Sequence, residues 1–88
     1  IDVLFLGVNA FDAEHGAAAH NEGEAAINAT FVKAAKRVVV VAAATKIADT
    51  AFARICETAE VDTPVTDARI APEQVARLEA AGVQVIVV

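Results

Sequence analysis

Three runs along the chain are apolar on both sides: VLFLG (Val3–Gly7), RVVVVA (Arg37–Ala42) and VQVIVV (Val83–Val88). They are short and rich in β-branched residues, and they lack the alternation of a sheet with one wet face. A parallel strand covered on both faces has that signature. TPVTD (Thr63–Asp67) is a shorter strand, with Pro64 near its start, where a missing N–H matters least. Two further segments carry helical punctuation. NEGE opens the first, from Asn21 to about Lys36: Asn21 is a good N-cap, and Glu24, three residues on, completes a capping-box pattern. Ile27, Phe31, Val32 and Ala35 form its apolar stripe, and Lys33, Lys36 and Arg37 suit the negative end of the helix dipole. APEQ announces the second helix, with Pro72 at a first helical position, Val75, Leu78 and Ala81 facing inward, and Gly82 stopping it. FARIC (Phe52–Cys56) fits a short strand or a helical turn equally well.

Strand, helix, strand, short strand, helix, strand predicts an α/β fold: a parallel sheet with flanking helices and right-handed crossovers. GVNAFDAEHGAAAHNEGEAA (Gly7–Ala26) then reads as a polar, glycine-punctuated loop leaving the first strand, where α/β proteins place ligand sites. The chain begins almost inside one strand and stops inside another, whereas complete domains usually begin and end in exposed tails. The expectation is that residues 1–88 are the carboxy-terminal part of one domain of a longer protein.

Composition narrows the function classes. The chain is 57% apolar, but alanine and valine supply most of that, so the core is thin for the percentage. Tryptophan, tyrosine and methionine are absent, which argues against an aromatic platform for single-stranded nucleic acid. Seven basic against twelve acidic residues give a net charge of −5, the wrong balance for gripping a phosphodiester backbone. Cys56 is the only cysteine, so there is neither an internal disulfide nor a cysteine-based zinc site, and the usage fits a reducing, intracellular setting. Apolar runs fall well short of the roughly 20 residues of a membrane span, and the chain does not open like a signal peptide. A soluble, cytoplasmic protein is expected. His15 and His20, with Glu14 and Glu22 nearby, match neither a helical pair nor a zinc signature, so no metal and no cofactor are expected. Cys56, in apolar context, reads as a small buried hydrophobe.

LGVNAFDAEHG, NEGEAA, AAKRVVVVAAATK, AFARI, VDTPVTDA and LEAAGVQVIVV, taken in order and spacing, resemble the effector-sensing domain of DeoR-family transcription regulators across nearly the whole chain. The resemblance implies a sensor shaped like the sugar-phosphate isomerases, with a Rossmann-like parallel sheet. It also implies an amino-terminal winged helix-turn-helix, outside this chain, through which alone DNA is bound. Such proteins mostly repress genes of sugar uptake and catabolism as homo-oligomers, and a phosphorylated sugar releases them from the operator. The sequence departs from the family in places. AAAH (Ala17–His20) stands where a leucine and threonines are usual, AATK (Ala43–Lys46) where an aspartate and serines or threonine precede the lysine, and Ala10 and Ala48 where glycine is frequent.

The candidate effector-binding residues are Gly7, Asp12, Gly16, Glu24, Thr45 and Lys46. Lys46, beside the Thr45 hydroxyl just past a strand's carboxyl end, suits a phosphate; its plain alternative is a solvated loop lysine. Asp12 can accept sugar hydroxyls or a proton, or can be an ordinary Asx-turn residue. Glu24 is a cap and, through the resemblance, lies close to the sugar. Gly7 and Gly16 read as backbone devices that let the loop turn or approach a ligand. The leading expectation is a regulatory sensor and not an enzyme. A sugar-phosphate isomerase, with Asp12 or Glu24 as its base, and a degenerate oligomerisation domain are the alternatives.

Overall fold

The computed structural model describes residues 1–88 and runs β1 (Val3–Gly7), β2 (Ala10–Asp12), β3 (Gly16–Ala19), α1 (Glu22–Ala34), β4 (Arg37–Val41), β5 (Ala53–Cys56), β6 (Thr63–Thr66), α2 (Pro72–Ala80) and β7 (Ile86–Val87). β1, β4, β6 and β7 form a parallel sheet in that order, so the α/β expectation holds. The register sets Leu4 beside Val38, Leu6 beside Val40, and Val40 beside Pro64. At the sheet's amino edge Asp62 locks β4 in place: its carboxylate accepts the Val38 N–H at 2.7 Å while its own N–H donates to the Val38 carbonyl at 2.9 Å.

The stretch after β1 is not the loop its polarity predicts. β2 and β3 form a hairpin, and β5 joins it to make an antiparallel sheet ordered β2-β3-β5. FARIC is therefore mostly strand. AFD and GAAA carry little strand propensity, and alanines on both sides hide the period of 2. What stabilises them is burial: every residue of β2 and β3 is buried. Gly16 makes the hairpin feasible. Its φ is +79°, and a Cβ built there would run into the Cys56 carbonyl oxygen.

α1 begins as expected, with the Asn21 side chain accepting the Glu24 N–H at 3.0 Å, but it ends at Ala34, two residues short of the expected Lys36. Its inward face is also different. Ala25 and Val32 are buried, whereas Ile27 is 60% and Phe31 43% exposed. The helix lies on β3 and β5 and reaches β1, and small residues permit that close approach. α2 keeps Pro72 in its first turn and buries Leu78, but Ala81, expected to face inward, is exposed. Gly82 (φ +95°) ends it in a Schellman motif: its N–H donates to Glu79 O at 3.0 Å, and the Val83 N–H donates to Leu78 O at 3.1 Å. Val83 is buried at this cap and takes no part in β7, which explains why that strand is so much shorter than VQVIVV. Leu6, Val38, Val40, Phe11, Ile55, Val32 and Leu78 belong to one core, between one face of the parallel sheet and a layer made of both helices and the antiparallel sheet. No helix is long and apolar enough to cross a membrane.

Candidate functional site

Parallel register brings Gly7 beside Val41 and Val41 beside Val65, so the segments leaving β1, β4 and β6 emerge together at one edge. Carboxyl edges of such sheets are where ligands bind. α1 starts at this edge too, since Asn9, just after β1, accepts the His20 N–H through its side-chain oxygen at 3.1 Å. Glu24 therefore stands at the same edge as Thr45 and Lys46. Its carboxylate is exposed and makes no bond to Asn21, leaving the capping box half formed.

The segment carrying Lys46 is held at both ends. After β4 the backbone makes one tight turn over Ala44–Lys46, with the Lys46 N–H donating to Ala43 O at 2.8 Å. Upstream, the Asp67 carboxylate accepts the Ala44 N–H at 2.9 Å. Downstream, Ile47 is buried beside Phe11, and the Ala48 N–H donates to Phe11 O at 2.8 Å. Ala48 adopts φ +68°, a left-handed conformation that favours glycine. Between these anchors Thr45 is exposed and Lys46 half-buried, and the ammonium has no carboxylate partner. Next along β6, Thr66 is buried, and its hydroxyl is the one buried side-chain polar atom without a hydrogen-bond partner.

Asp67 and Arg69 escape a reading by residue type and spacing. Arg69 grips Asp67 through Nε to Oδ1 (2.9 Å) and Nη2 to Oδ2 (3.0 Å), and its backbone N–H donates to Oδ1 (3.0 Å). These bonds, the Arg69 side chain first, hold the Asp67 carboxyl well below the usual carboxylate range. A solvent-exposed pair of this kind contributes little to stability. Its effect is geometric, fixing the carboxylate that holds the turn before Lys46. The available signal was a carboxylate placed just after a strand on a shared edge.

Asp12 sits in the hairpin between β2 and β3, with its carboxylate turned onto its own backbone. Oδ2 accepts the N–H groups of Glu14 (3.0 Å) and His15 (2.9 Å) and meets His15 Nδ1 at 2.7 Å. Burial pulls this carboxyl upward, but the bonds from His15 and Glu14 outweigh it and leave the group below its ordinary value. Of the two readings for Asp12, the Asx-turn is the one the geometry contains. Asp12, Glu14 and His15 bring ligand atoms within 4.8 Å of one another, whereas His20 and Glu22 stand apart from them. Gly16 is a packing device against β5. Gly7 has an ordinary φ and open space where its Cβ would lie, so nothing around it demands glycine. A cleft of about 230 Å³ lined by His15, Gly16, Asp49, Phe52 and Arg54 opens beside the antiparallel sheet and includes neither Thr45 nor Lys46. Cys56 is buried, and burial first, with Glu60 second, pushes its thiol up to about 11, so it is no nucleophile near neutrality.

Comparison with known proteins agrees with this architecture. The family described as the DeoR C terminal sensor domain matches residues 1–68. A protein of Escherichia coli O157:H7 described as an aga operon transcriptional repressor is 38% identical over 99% of the chain. The HTH-type transcriptional regulator GlpR of Haloferax volcanii is 36% identical over 97% of it. The chain spans 32% and 33% of the lengths of these two relatives. With a family match over most of its length and an α/β parallel sheet of the kind expected, the chain belongs to the DeoR C-terminal sensor domain family.

Proposed function

We propose that this chain is the carboxy-terminal part of the effector-sensing domain of a cytoplasmic, homo-oligomeric transcriptional repressor of sugar metabolism. Its effector is a phosphorylated sugar, and DNA contact is left to a separate amino-terminal domain. The observation that carries this reading is the built edge around Lys46: an unpaired ammonium on a turn clamped by Asp67 and Phe11, beside Thr45 and sharing its sheet edge with Glu24. Lys46 and Thr45 take the phosphate, and Glu24, free of its capping bond, accepts sugar hydroxyls. The orphaned Thr66 hydroxyl, at the end of the adjacent strand, is the kind of group a bound polar ligand satisfies. The net charge of −5 supports placing DNA contact elsewhere. Regulation follows from differential affinity, with the ligand favouring one arrangement of sensor subunits over another.

An isomerase needs a carboxylate base free to take a proton from carbon. Asp12 is engaged by its own turn and holds its proton less tightly than usual, so it lends that alternative little support.

Titration calorimetry on the full-length protein tests the sensor reading. Lys46→Ala should weaken a phosphorylated sugar by about 1.5–3 kcal/mol, the worth of a hydrogen bond to a charged group, and leave the unphosphorylated sugar nearly unaffected. Equal affinity of parent and variant for the phosphorylated sugar makes Lys46 a solvated loop residue and refutes the assignment.

A further inference from the structure

The cleft beside the antiparallel sheet lies apart from the Lys46 edge, and two backbone irregularities shape it. Where β5 pairs with β3 the register jumps: Ala17 stands opposite Cys56 and Ala18 opposite Arg54, so Ile55 has no partner. This bulge sends Ile55 and Cys56 into the core one after the other and leaves Arg54 on the outer side, where it lines the cleft. Gly16, pressed against β5 at φ +79°, adds a stretch of wall with no side chain. The enclosed space of about 230 Å³ is below that of sites for drug-sized ligands and suits one small ring.

The lining groups have unused hydrogen-bonding capacity. Arg54 stands 3.8 Å from Glu57 Oε1, too far for a hydrogen bond, so its guanidinium donors are free. Asp49 accepts the Thr50 N–H through Oδ1 at 3.0 Å and pairs with no cation, so Oδ2 is free. His15 is held from behind: a carboxylate only accepts, so Nδ1 donates to Asp12 at 2.7 Å and Nε2 is left for a ligand. Phe52, 75% exposed directly before β5, offers a flat apolar face beside these polar groups.

Charge decides what such a set can hold. An anion would meet Asp49, the Glu57 carboxylate near Arg54, and Asp12 and Glu14, whose oxygens lie within 4.8 Å of a His15 nitrogen. These carboxylates outnumber Arg54 and His15. A cation would meet the Arg54 guanidinium. A neutral ligand with a ring face and several hydroxyls avoids both conflicts, because hydroxyls donate and accept and the C–H face covers an aromatic ring. We propose that this cleft binds one unphosphorylated monosaccharide, its ring laid on Phe52 and its hydroxyls bonded to Arg54, Asp49 and His15. The site is separate from the Lys46 edge and stands whether or not that edge takes a phosphate.

Saturation-transfer NMR on the full-length protein tests it. The probes are D-glucose, D-galactose, D-ribose and N-acetyl-D-glucosamine, each beside its terminal phosphate ester. At least one neutral sugar should bind at millimolar concentration, with its ring C–H protons saturated most strongly. Phe52→Ala and Arg54→Gln should each weaken that sugar by about 10-fold, and Lys46→Ala should leave it unchanged. Phe52→Tyr, which keeps the ring, should bind as the parent does, so a fold damaged by alanine cannot pass for a lost contact. In Lys46→Ala the phosphate ester should bind about 10-fold more weakly than the neutral sugar, and equal or tighter binding overturns the neutral class. No binding by any neutral probe overturns the proposal. So does binding that is lost in Lys46→Ala and kept in Phe52→Ala, which puts the sugar at the sheet edge.

Discussion

Gly16→Ala, measured beside Gly7→Ala, separates glycines required by the backbone from glycines that merely occupy a ligand-facing loop. At Gly16 two costs combine. An alanine held at φ +79° suffers the left-handed penalty of about 1–2 kcal/mol. Its Cβ also meets the Cys56 carbonyl oxygen, a backbone atom of β5 that has no rotamer through which to escape. Forcing such an atom aside is overpacking, which costs about 1–3 kcal/mol. Together they predict a loss of about 2–5 kcal/mol, a large share of the roughly 5–15 kcal/mol by which folded proteins are usually stable. At Gly7 the Cβ enters open space and φ is ordinary, so alanine leaves stability unchanged or raises it by up to about 1 kcal/mol. Urea unfolding followed by circular dichroism reads both variants. With a slope near 1 kcal/mol per M, the Gly16→Ala midpoint should fall by about 2 M or more while that of Gly7→Ala stays in place. A Gly16→Ala variant within about 0.5 kcal/mol of the parent refutes the packing argument. So does a Gly7→Ala variant equally damaged.

The half-formed capping box gives an asymmetric pair. Asn21→Ala should cost about 1 kcal/mol by freeing the Glu24 N–H, whereas Glu24→Gln, with no capping bond to lose, should leave the thermal midpoint unchanged. An equal loss from both would place the Glu24 carboxylate back on Asn21. Cys56 predicts an alkaline limit. Its folded value, about 11, lies above the ordinary 9.0, so its thiol is equally protonated in both states below pH 9 and contributes no pH dependence there. Between about pH 9 and 11 the unfolded chain ionises first and stability falls by about 2–3 kcal/mol, a slope that Cys56→Ala should remove. Chemical denaturation at stepped pH measures it, and an unchanged slope in the variant refutes the assignment.

Two strands of the parallel sheet were legible because Val3–Leu6 and Val38–Val41 are unbroken apolar runs, too short for a helix and, in the second, wholly β-branched. The start of α1 was legible for a local reason as well: Asn21 and the Glu24 N–H lie one turn apart, so their bond depends on no distant residue. Candidate loops at the sheet's carboxyl edge followed from strand order alone. Asp12 and Gly16 carried enough information to place a turn, but residue type could not say whether the carboxylate faced a ligand or its own backbone.

What escaped the sequence depends on contacts between segments far apart along it. β2, β3 and β5 are strands because they are buried against one another and beneath α1, and alanine-rich segments announce no such burial. The face of α1 is set by what it lies on, so Ala25 goes inside and Ile27 stays out although Ile27 is the more apolar. Asp67 holds the Ala44 N–H across 23 residues of sequence, a bond that comes into being only when β4 and β6 are neighbours. Short-range periodicity and capping are chemistry of the local chain and can be read from it. Burial, register and the sidedness of the sheet are properties of packed surfaces, which exist only once the chain has folded.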